Sequence, residues 1–274
     1  MAEQPLSVES QVSFINEEWR ERDEIPYIYD RRSRLENTTR RDVTIHNARP
    51  RDEAGELSLD GSGFILERHA TAVTDFRDKQ SIADVYFPEM RALILEQTGA
   101  VDAFPVQFYQ VRSSDPEHFF DAYSLYMHID FSLKGWTNMA RHMIKSAGSE
   151  DEFNDDEWDF ALYNMWRPVG GTVEKDPLVL IDASTLDTAD IVNYSAAKER
   201  KDGLAALPVY NADQRLYYVP FMEVDEVLIF KQLDSRAGRA IVCPHTSFRD
   251  PTALPDARDR ESIDIRMVCV FPKT

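Results

Sequence analysis

Short apolar runs, rich in β-branched and aromatic residues and separated by Pro, Gly, Asp and Asn, recur along the second half of the chain. They predict strands at 161–166, 178–182, 216–219, 226–233, 240–243 and 263–271. The first half is mixed. Residues 57–66 read as strand, glycine turn and strand, with Gly61 and Gly63 supplying the turn. Between 81 and 99, Ile82, Val85, Tyr86, Met90, Leu93 and Ile94 fall at spacings of three and four, so this segment is expected to be helical. Pro88 should start or kink that helix, and Gly99 should stop it. A strand is expected over 101–111, closed by the turn residues Ser114-Asp115-Pro116, and a second helix over 136–144. The aromatic run through Phe119, Phe120, Tyr123 and Tyr126 reads as a buried strand.

Many short strands with one convincing helix before them predict a mainly β protein with flanking helices, a cupin-like barrel or jelly roll. A double-stranded β-helix is the version that can bring distant strands together at its mouth. At 274 residues one domain covering 1–274 is the default, because barrels and sandwiches often reach that length. Residues 1–56, polar and charged, are expected to form an N-terminal extension packed on that domain, with extended pieces at 26–29 and 43–46.

Charge narrows the partners. A formal net charge of -18 repels phosphate backbones and anionic membrane surfaces, so neither nucleic acid nor membrane is expected as a partner. The two cysteines, Cys243 and Cys269, make no disulfide framework and no Cys-x-x-Cys metal spacing. The start of the chain has no basic segment followed by an apolar run, and no stretch approaches a membrane span, so a cytoplasmic protein is expected.

The candidate chemistry lies in Met127-His128-Ile129-Asp130-Phe131. In a strand, residues two apart share a face, so an imidazole and a carboxylate would point at one spot. One further histidine would complete the two-His-one-carboxylate face that holds non-heme Fe(II) and leaves positions open for substrates. His245, in Pro244-His245-Thr246-Ser247-Phe248, is the only histidine after His142 and is the candidate third ligand. Further on, Arg260, Ser262, Asp264 and Arg266 would share one strand face. Arginine grips carboxylates in a two-pronged fashion, and an Arg-x-Ser pair suits the far carboxylate of a 2-oxo acid whose other end chelates iron.

These residues resemble a known group. The segments His128-x-Asp130, Asn164-Met165-Trp166-Arg167-Pro168, Asp176-Pro177-Leu178, Leu216-Tyr217-Tyr218, Asp225-Glu226-Val227-Leu228-Ile229-Phe230-Lys231, Asp234-Ser235, Pro244-His245-Thr246-Ser247-Phe248 and Arg260-Glu261-Ser262-Ile263-Asp264-Ile265-Arg266 together resemble the fungal and bacterial hydroxylase/desaturase group. That group includes the gibberellin desaturase and a cephamycin methoxylation component. The resemblance runs from about Leu57 to the C-terminus and is specific in its second half. It implies an Fe(II)- and 2-oxoglutarate-dependent oxygenase acting with dioxygen on a small metabolite by hydroxylation, desaturation or ring closure. It also implies that His128, Asp130 and His245 hold iron. Arg260 with Ser262 would hold the far carboxylate of 2-oxoglutarate, with Arg266 and Arg167 as rivals and Tyr218 as a further cofactor contact.

Plainer readings compete. Arg167 could pair with one of many carboxylates beside a packed Trp166, and Arg266 could pair with Asp264 or Glu261. Tyr217 and Tyr218 alternate faces, so only one can reach a ligand. Cys243 reads as a buried thiol, His46 as a surface or capping residue, His142 as part of a solvated helix face, and the acidic run 150–159 as a solvated loop. Two other classes also remain: a cupin-like dioxygenase or hydrolase that needs no 2-oxoglutarate, and a non-catalytic β-barrel that binds a small ligand. The Arg260/Ser262 pair, which neither requires, separates the first reading from both.

Overall fold

The structure, a computed structural model, describes residues 5–106, 108–113, 123–133, 136–149, 152–153, 157–195 and 205–273. The described strands are β1 (Ser7–Ile15), β2 (Thr38–Asn47), β3 (Phe64–Arg68), β4 (Asp102–Pro105), β5 (Gln110–Arg112), β6 (Trp158–Pro168), β7 (Leu178–Ile181), β8 (Ile191–Tyr194), β9 (Ala205–Pro208), β10 (Leu216–Tyr218), β11 (Glu226–Asp234), β12 (His245–Ser247) and β13 (Ser262–Pro272). One sheet has the order β3-β11-β6-β13-β4, with β5 also on β13; the other runs β1-β2-β10-β7-β12; β8 and β9 form a separate ribbon. Among the described strand pairs all are antiparallel except β2 with β10.

The centre of the larger sheet, β6 and β13, is buried on both faces, which is why its sequence reads as nearly unbroken apolar runs. One face carries Tyr163, Met165, Ile265 and Met267 and packs under the helix Phe87–Thr98 through Met90, Leu93 and Ile94. Burial of each such side chain contributes about 1.5–3 kcal/mol. That helix has Pro88 in its first turn, follows a π-helical turn at Ile82–Tyr86, and ends at Gly99, whose φ of 66° lets its N–H reach the Leu95 carbonyl. The other face of the larger sheet meets the smaller one. Phe64, Trp166, Leu228 and Phe230 pack there with Leu180 and Tyr217. Further along the same strands, Leu162, Val268 and Val270 form a second apolar layer with Ala140 and Ile144 of the helix Trp136–Ser146. Two facing sheets with these crossovers make a double-stranded β-helix, a jelly roll, as expected. A band of polar residues lies between its two apolar layers.

Several local expectations change. Residues 240–243 are not a strand: the Ala240 and Cys243 N–H groups bond to the Asp60 and Lys231 carbonyls, and the strand starts after Pro244 as β12. In 57–66 only the part from Phe64 onward is extended. The first 56 residues supply β1 and β2, and β2 pairs directly with β10 in the middle of the smaller sheet. The extended piece expected at 43–46 lies within β2, whose alternating charged and apolar positions mark a strand buried on one face only. β8 and β9 escaped notice because the apolar run in each is only about four residues. The turn at 114–116, residues 119–122 of the aromatic run and residues 150–151 and 154–156 of the acidic run lie outside the described residues.

Gly63 is the glycine that the junction of the sheets requires. Its φ is 82°, and a Cβ there would meet Cys243 Sγ at 2.5 Å and Ala183 Cβ at 2.9 Å. Gly55 shares the positive φ (68°), but a Cβ there would meet nothing within 4 Å. Gly63→Ala should therefore lower stability by several kcal/mol, and Gly55→Ala by only about 1 kcal/mol, the backbone cost alone. Thermal unfolding of the two variants side by side checks this; equal losses would remove the steric argument.

Candidate metal centre

The polar band between the apolar layers holds the site. His128 and His245 are direct cross-strand neighbours: each backbone N–H donates to the other's carbonyl, at 3.0 and 2.9 Å, and the ring centroids lie 4.4 Å apart. Asp130 follows two residues after His128, on the same side, with Oδ1 3.6 Å from His128 Nε2. Ligand atoms of His128, Asp130 and His245 all lie within 4.8 Å of one another. Sequence reasoning named all three, and the fold brings them together.

Each of these three side chains is held from behind. His128 Nδ1 faces the Tyr126 carbonyl at 3.0 Å and Ser124 Oγ at 3.2 Å, so the ring turns Nε2 toward Asp130. His245 Nδ1 lies 3.2 Å from Gln232 Nε2. Asp130 Oδ2 accepts from Arg266 Nε at 2.7 Å and from Asn164 Nδ2 at 2.9 Å. Asp264 Oδ2 accepts from the same two residues, from Arg266 Nη2 at 3.1 Å and from the same Asn164 Nδ2 at 3.2 Å. The register explains this convergence, because Arg266 and Asn164 are partners across β13 and β6, and Asp264 precedes Arg266 by two.

Electrostatics follow from burial and neighbours. Burial alone would raise Asp130, but the Arg266 guanidinium and the two imidazoles hold it far below the usual carboxylate range. Burial depresses both histidines, and His245 falls further because His128 stands beside it. Both rings are thus neutral at pH 7. Asp264 goes the other way: burial pushes it up to about 6 despite Arg266. Burial likewise brings Arg260 down to about 10.

The donor set suits a first-row divalent metal: two neutral imidazoles and one ionised carboxylate from one side, the ligand class of non-heme Fe(II) centres. The surroundings also suit an anionic guest. Along β13 and the residues just before it, Arg260 Nε, Ser262 Oγ, Asp264 Oδ1 and Arg266 Nη1 are buried and have no hydrogen-bond partner among the described residues. Arg260 lies over the rings of Tyr123 (4.1 Å) and Trp166 (5.3 Å), and its Nη1 donates to the Asp176 carbonyl at 2.5 Å. A cavity of about 540 Å³ opens beside His128 and Asp130, walled by Phe108, Phe131, Met139, Met143, Tyr126 and Tyr194, with Arg34, Arg112 and Arg266 supplying charge.

Other expected cofactor residues lie elsewhere. Arg167 is on the opposite face of β6 from Trp166, where it donates to the His69 and Val224 carbonyls and sits over the Tyr86 ring. Tyr218 faces away from His245 and meets Phe248 edge-on at 5.3 Å. Arg266 reaches the site through its bond to the Asp130 carboxylate. Cys243 is a buried thiol whose Sγ approaches the Ser62 carbonyl, and His142 is exposed on its helix. Sequence reasoning did not single out Asn164 as a site residue, nor Gln232, Asp264 or Arg112. Alternation with the inward Trp166 places Asn164 on the site face, and Arg112 stands opposite Ser262 in the β5–β13 ladder. Gln232 left no such signal.

The chain is similar to several known proteins. A family model described as "Oxidoreductase/YMDC permease-like domain" matches residues 12–270. The alpha-ketoglutarate-dependent dioxygenase phiK of a fungal species is 27% identical over 253 residues, 86% of each chain. Hydroxylase/desaturase efuI of Hormonema carpetanum is 28% identical over 246 residues, 79% of each chain. A solved structure of the iron and alpha-ketoglutarate-dependent endoperoxidase NvfI superposes with a TM-score of 0.85 at 22% identity, covering 99% of this chain and 100% of that one, and establishes the fold. The chain belongs to this oxidoreductase family, among the Fe(II)/2-oxoglutarate-dependent dioxygenases and hydroxylase/desaturases.

The Asp264 environment makes a pH-dependent prediction. Its carboxyl takes up a proton at about 6 in the folded chain but at 3.8 when unperturbed, so its contribution to stability is complete below pH 4 and lost as pH rises through 6. The depressed histidines act oppositely, losing stability as pH falls below about 6.5, and do so equally in wild type and variant. Denaturant unfolding of metal-free wild type and Asp264→Asn should show the variant gaining relative stability between pH 4 and 7.5. A difference that stays flat over that range would contradict the raised carboxyl.

Proposed function

We propose that His128, Asp130 and His245 hold Fe(II), and that 2-oxoglutarate lies with its far carboxylate at the Ser262 level of β13. Arg260 is its principal cation, Ser262 donates a hydroxyl, and Arg112 approaches from the paired strand. The observation that carries this reading is the buried three-ligand face beside a 540 Å³ cavity. The whole chain, residues 1–274, is read as one oxygenase domain. It is an Fe(II)/2-oxoglutarate-dependent dioxygenase that oxidises an unactivated C–H of a small metabolite in secondary metabolism. No helix among the described residues is long and apolar enough to cross a membrane. A reducing, cytoplasmic setting would keep a ferrous centre and the two free thiols, Cys243 and Cys269, in their working state.

Each part of the chain has a role in that chemistry. When bound, the iron and the 2-oxo acid supply oxidation of a C–H bond by dioxygen, with the 2-oxo acid leaving as succinate and carbon dioxide. Asp130 keeps its negative charge because Arg266 and Asn164 stabilise it, and the neutral histidines present ring nitrogens. Arg260 is buried against aromatic rings with no carboxylate bonded to it among the described residues, so an anionic guest offsets the cost of burying its charge. The apolar wall formed by Phe108, Phe131, Met139 and Met143 takes a largely apolar substrate and excludes water from the reacting carbon. Which carbon reaches the metal decides between hydroxylation, desaturation and ring closure.

The test is anaerobic titration with Fe(II) and then 2-oxoglutarate, following the weak visible charge-transfer band of a chelated 2-oxo acid. Wild type should show the band and His128→Ala should not. Arg260→Ala should bind iron as wild type does but need at least tenfold more 2-oxoglutarate. If iron binds without any band, the cosubstrate assignment fails, leaving a metal-dependent enzyme that works without 2-oxoglutarate. A His128→Ala variant that turns over 2-oxoglutarate at the wild-type rate would overturn the metal assignment.

A further inference from the structure

β11 departs from regular pairing at one place. Opposite β6, Lys231 pairs with Tyr163 and Leu233 with Leu162, so Gln232 is the extra residue of a β-bulge. A bulge turns a side chain out of the pleat's normal alternation, and bulges gather next to active sites. Here it sends a fully buried amide into the polar band, although the adjacent residues, Lys231 and Leu233, serve other clusters. Gln232 Oε1 accepts the Asp130 backbone N–H at 3.0 Å, and its Nε2 lies 3.2 Å from His245 Nδ1. One side chain therefore touches two of the three candidate ligands from behind: the main chain of one and the ring of the other.

The proton positions on the two rings follow. With Oε1 committed to the Asp130 N–H, Gln232 presents an NH₂ group to His245, so Nδ1 must be the acceptor and the neutral ring carries its proton on Nε2. His128 is the reverse. Its Nδ1 faces the Tyr126 carbonyl, which only accepts, so its proton sits on Nδ1 and Nε2 carries a lone pair. His128 is thus already in the form a metal needs, and His245 is not. A neutral imidazole that ligates through Nε2 must hold its proton on Nδ1 and give it to an acceptor. The only side chain placed to accept it among the described contacts is Gln232, by turning Oε1 toward the ring.

We propose that Gln232 is the positioning residue of the metal centre, and that its amide turns over on metal loading, releasing the Asp130 N–H to accept the His245 Nδ1–H. The bulge in β11 places this amide between Asp130 and His245. Metal occupancy is then coupled to the anchoring of the 127–131 segment, through the Asp130 N–H that Gln232 holds only in the metal-free state. The inference rests on the reading of His128, Asp130 and His245 as the metal ligands.

Ring ¹⁵N NMR of the full-length protein, before and after loading with Zn(II) as a diamagnetic probe, tests the proton positions directly. In the metal-free protein His128 should appear as the Nδ1–H tautomer and His245 as the Nε2–H tautomer, with His245 switching to Nδ1–H when zinc binds. Gln232→Leu, which keeps the volume and loses the amide, should weaken Zn(II) and Co(II) binding by about 10–100-fold. Gln232→Glu should restore affinity to within a few-fold, because a carboxylate accepts from both the Asp130 N–H and the His245 Nδ1–H without turning. A merely structural amide would not produce that rescue. His245 found as Nδ1–H in the metal-free protein, or Gln232→Leu binding metal as wild type does while His128→Ala binds none, overturns the inference and leaves the ligand assignment standing. If wild type and His128→Ala bind these metals equally weakly, the ligand assignment itself fails, and this inference with it.

Discussion

A carboxylate enclosed by protein persists as an anion only where opposite charge and hydrogen-bond donors reach it, and Asp130 draws both from the centre of the larger sheet. Arg266 on β13 and Asn164 on β6 stand opposite each other in the ladder and close on one oxygen of Asp130. The other oxygen is left to face the two histidines. Remove that pair and Asp130, the one carboxylate of the three-residue cluster, is driven toward protonation, because burial pushes the carboxyl upward on its own. The close pairing of β6 and β13, helix-covered on one side, fixes the Arg266–Asn164 spacing to within the tolerance such bonds demand.

Asp264 shows what that arrangement costs. It shares Arg266 and Asn164 with Asp130, so two buried carboxylates compete for one guanidinium, and the one nearer the imidazoles keeps its charge. Environment alone separates two chemically identical groups into an ionised ligand and an acid with a raised proton affinity. The surrounding protein carries net negative charge, yet the cavity wall is cationic at Arg34, Arg112 and Arg266. Such a wall draws an anionic cosubstrate inward against the field of the surface.

The two apolar layers on either side of the polar band explain its order. Below it, Trp166, Phe230 and Leu180 fill the space between the sheets; above it, Leu162, Val268 and the helix Trp136–Ser146 close the other side. Water is kept from the backs of His128, Asp130 and His245, so the polar groups behind them bond to one another within the band. The bulged Gln232 is the clearest product of that demand, since regular alternation on β11 would have put Lys231 or Leu233 at this depth.

Local chemistry and strand periodicity determined much of this protein from the sequence. His128 and Asp130 two residues apart, His245 after Pro244, and the inward row from Ser262 to Arg266 are visible because a strand repeats every two residues. The jelly roll and the helix ending at Gly99 were legible for the same reason: burial imposes a period on the sequence. What only the tertiary structure decided concerns pairing between distant strands. Nothing local says that Arg167 is buried on the face away from the site while Arg112 lines the cavity, that Arg266 serves Asp130, or that β2 joins the smaller sheet beside β10. Nor does any spacing reveal that one extra residue in β11 turns Gln232 toward two ligands. Those facts depend on register between segments far apart in the chain, and register is set by the packing of the whole sheet.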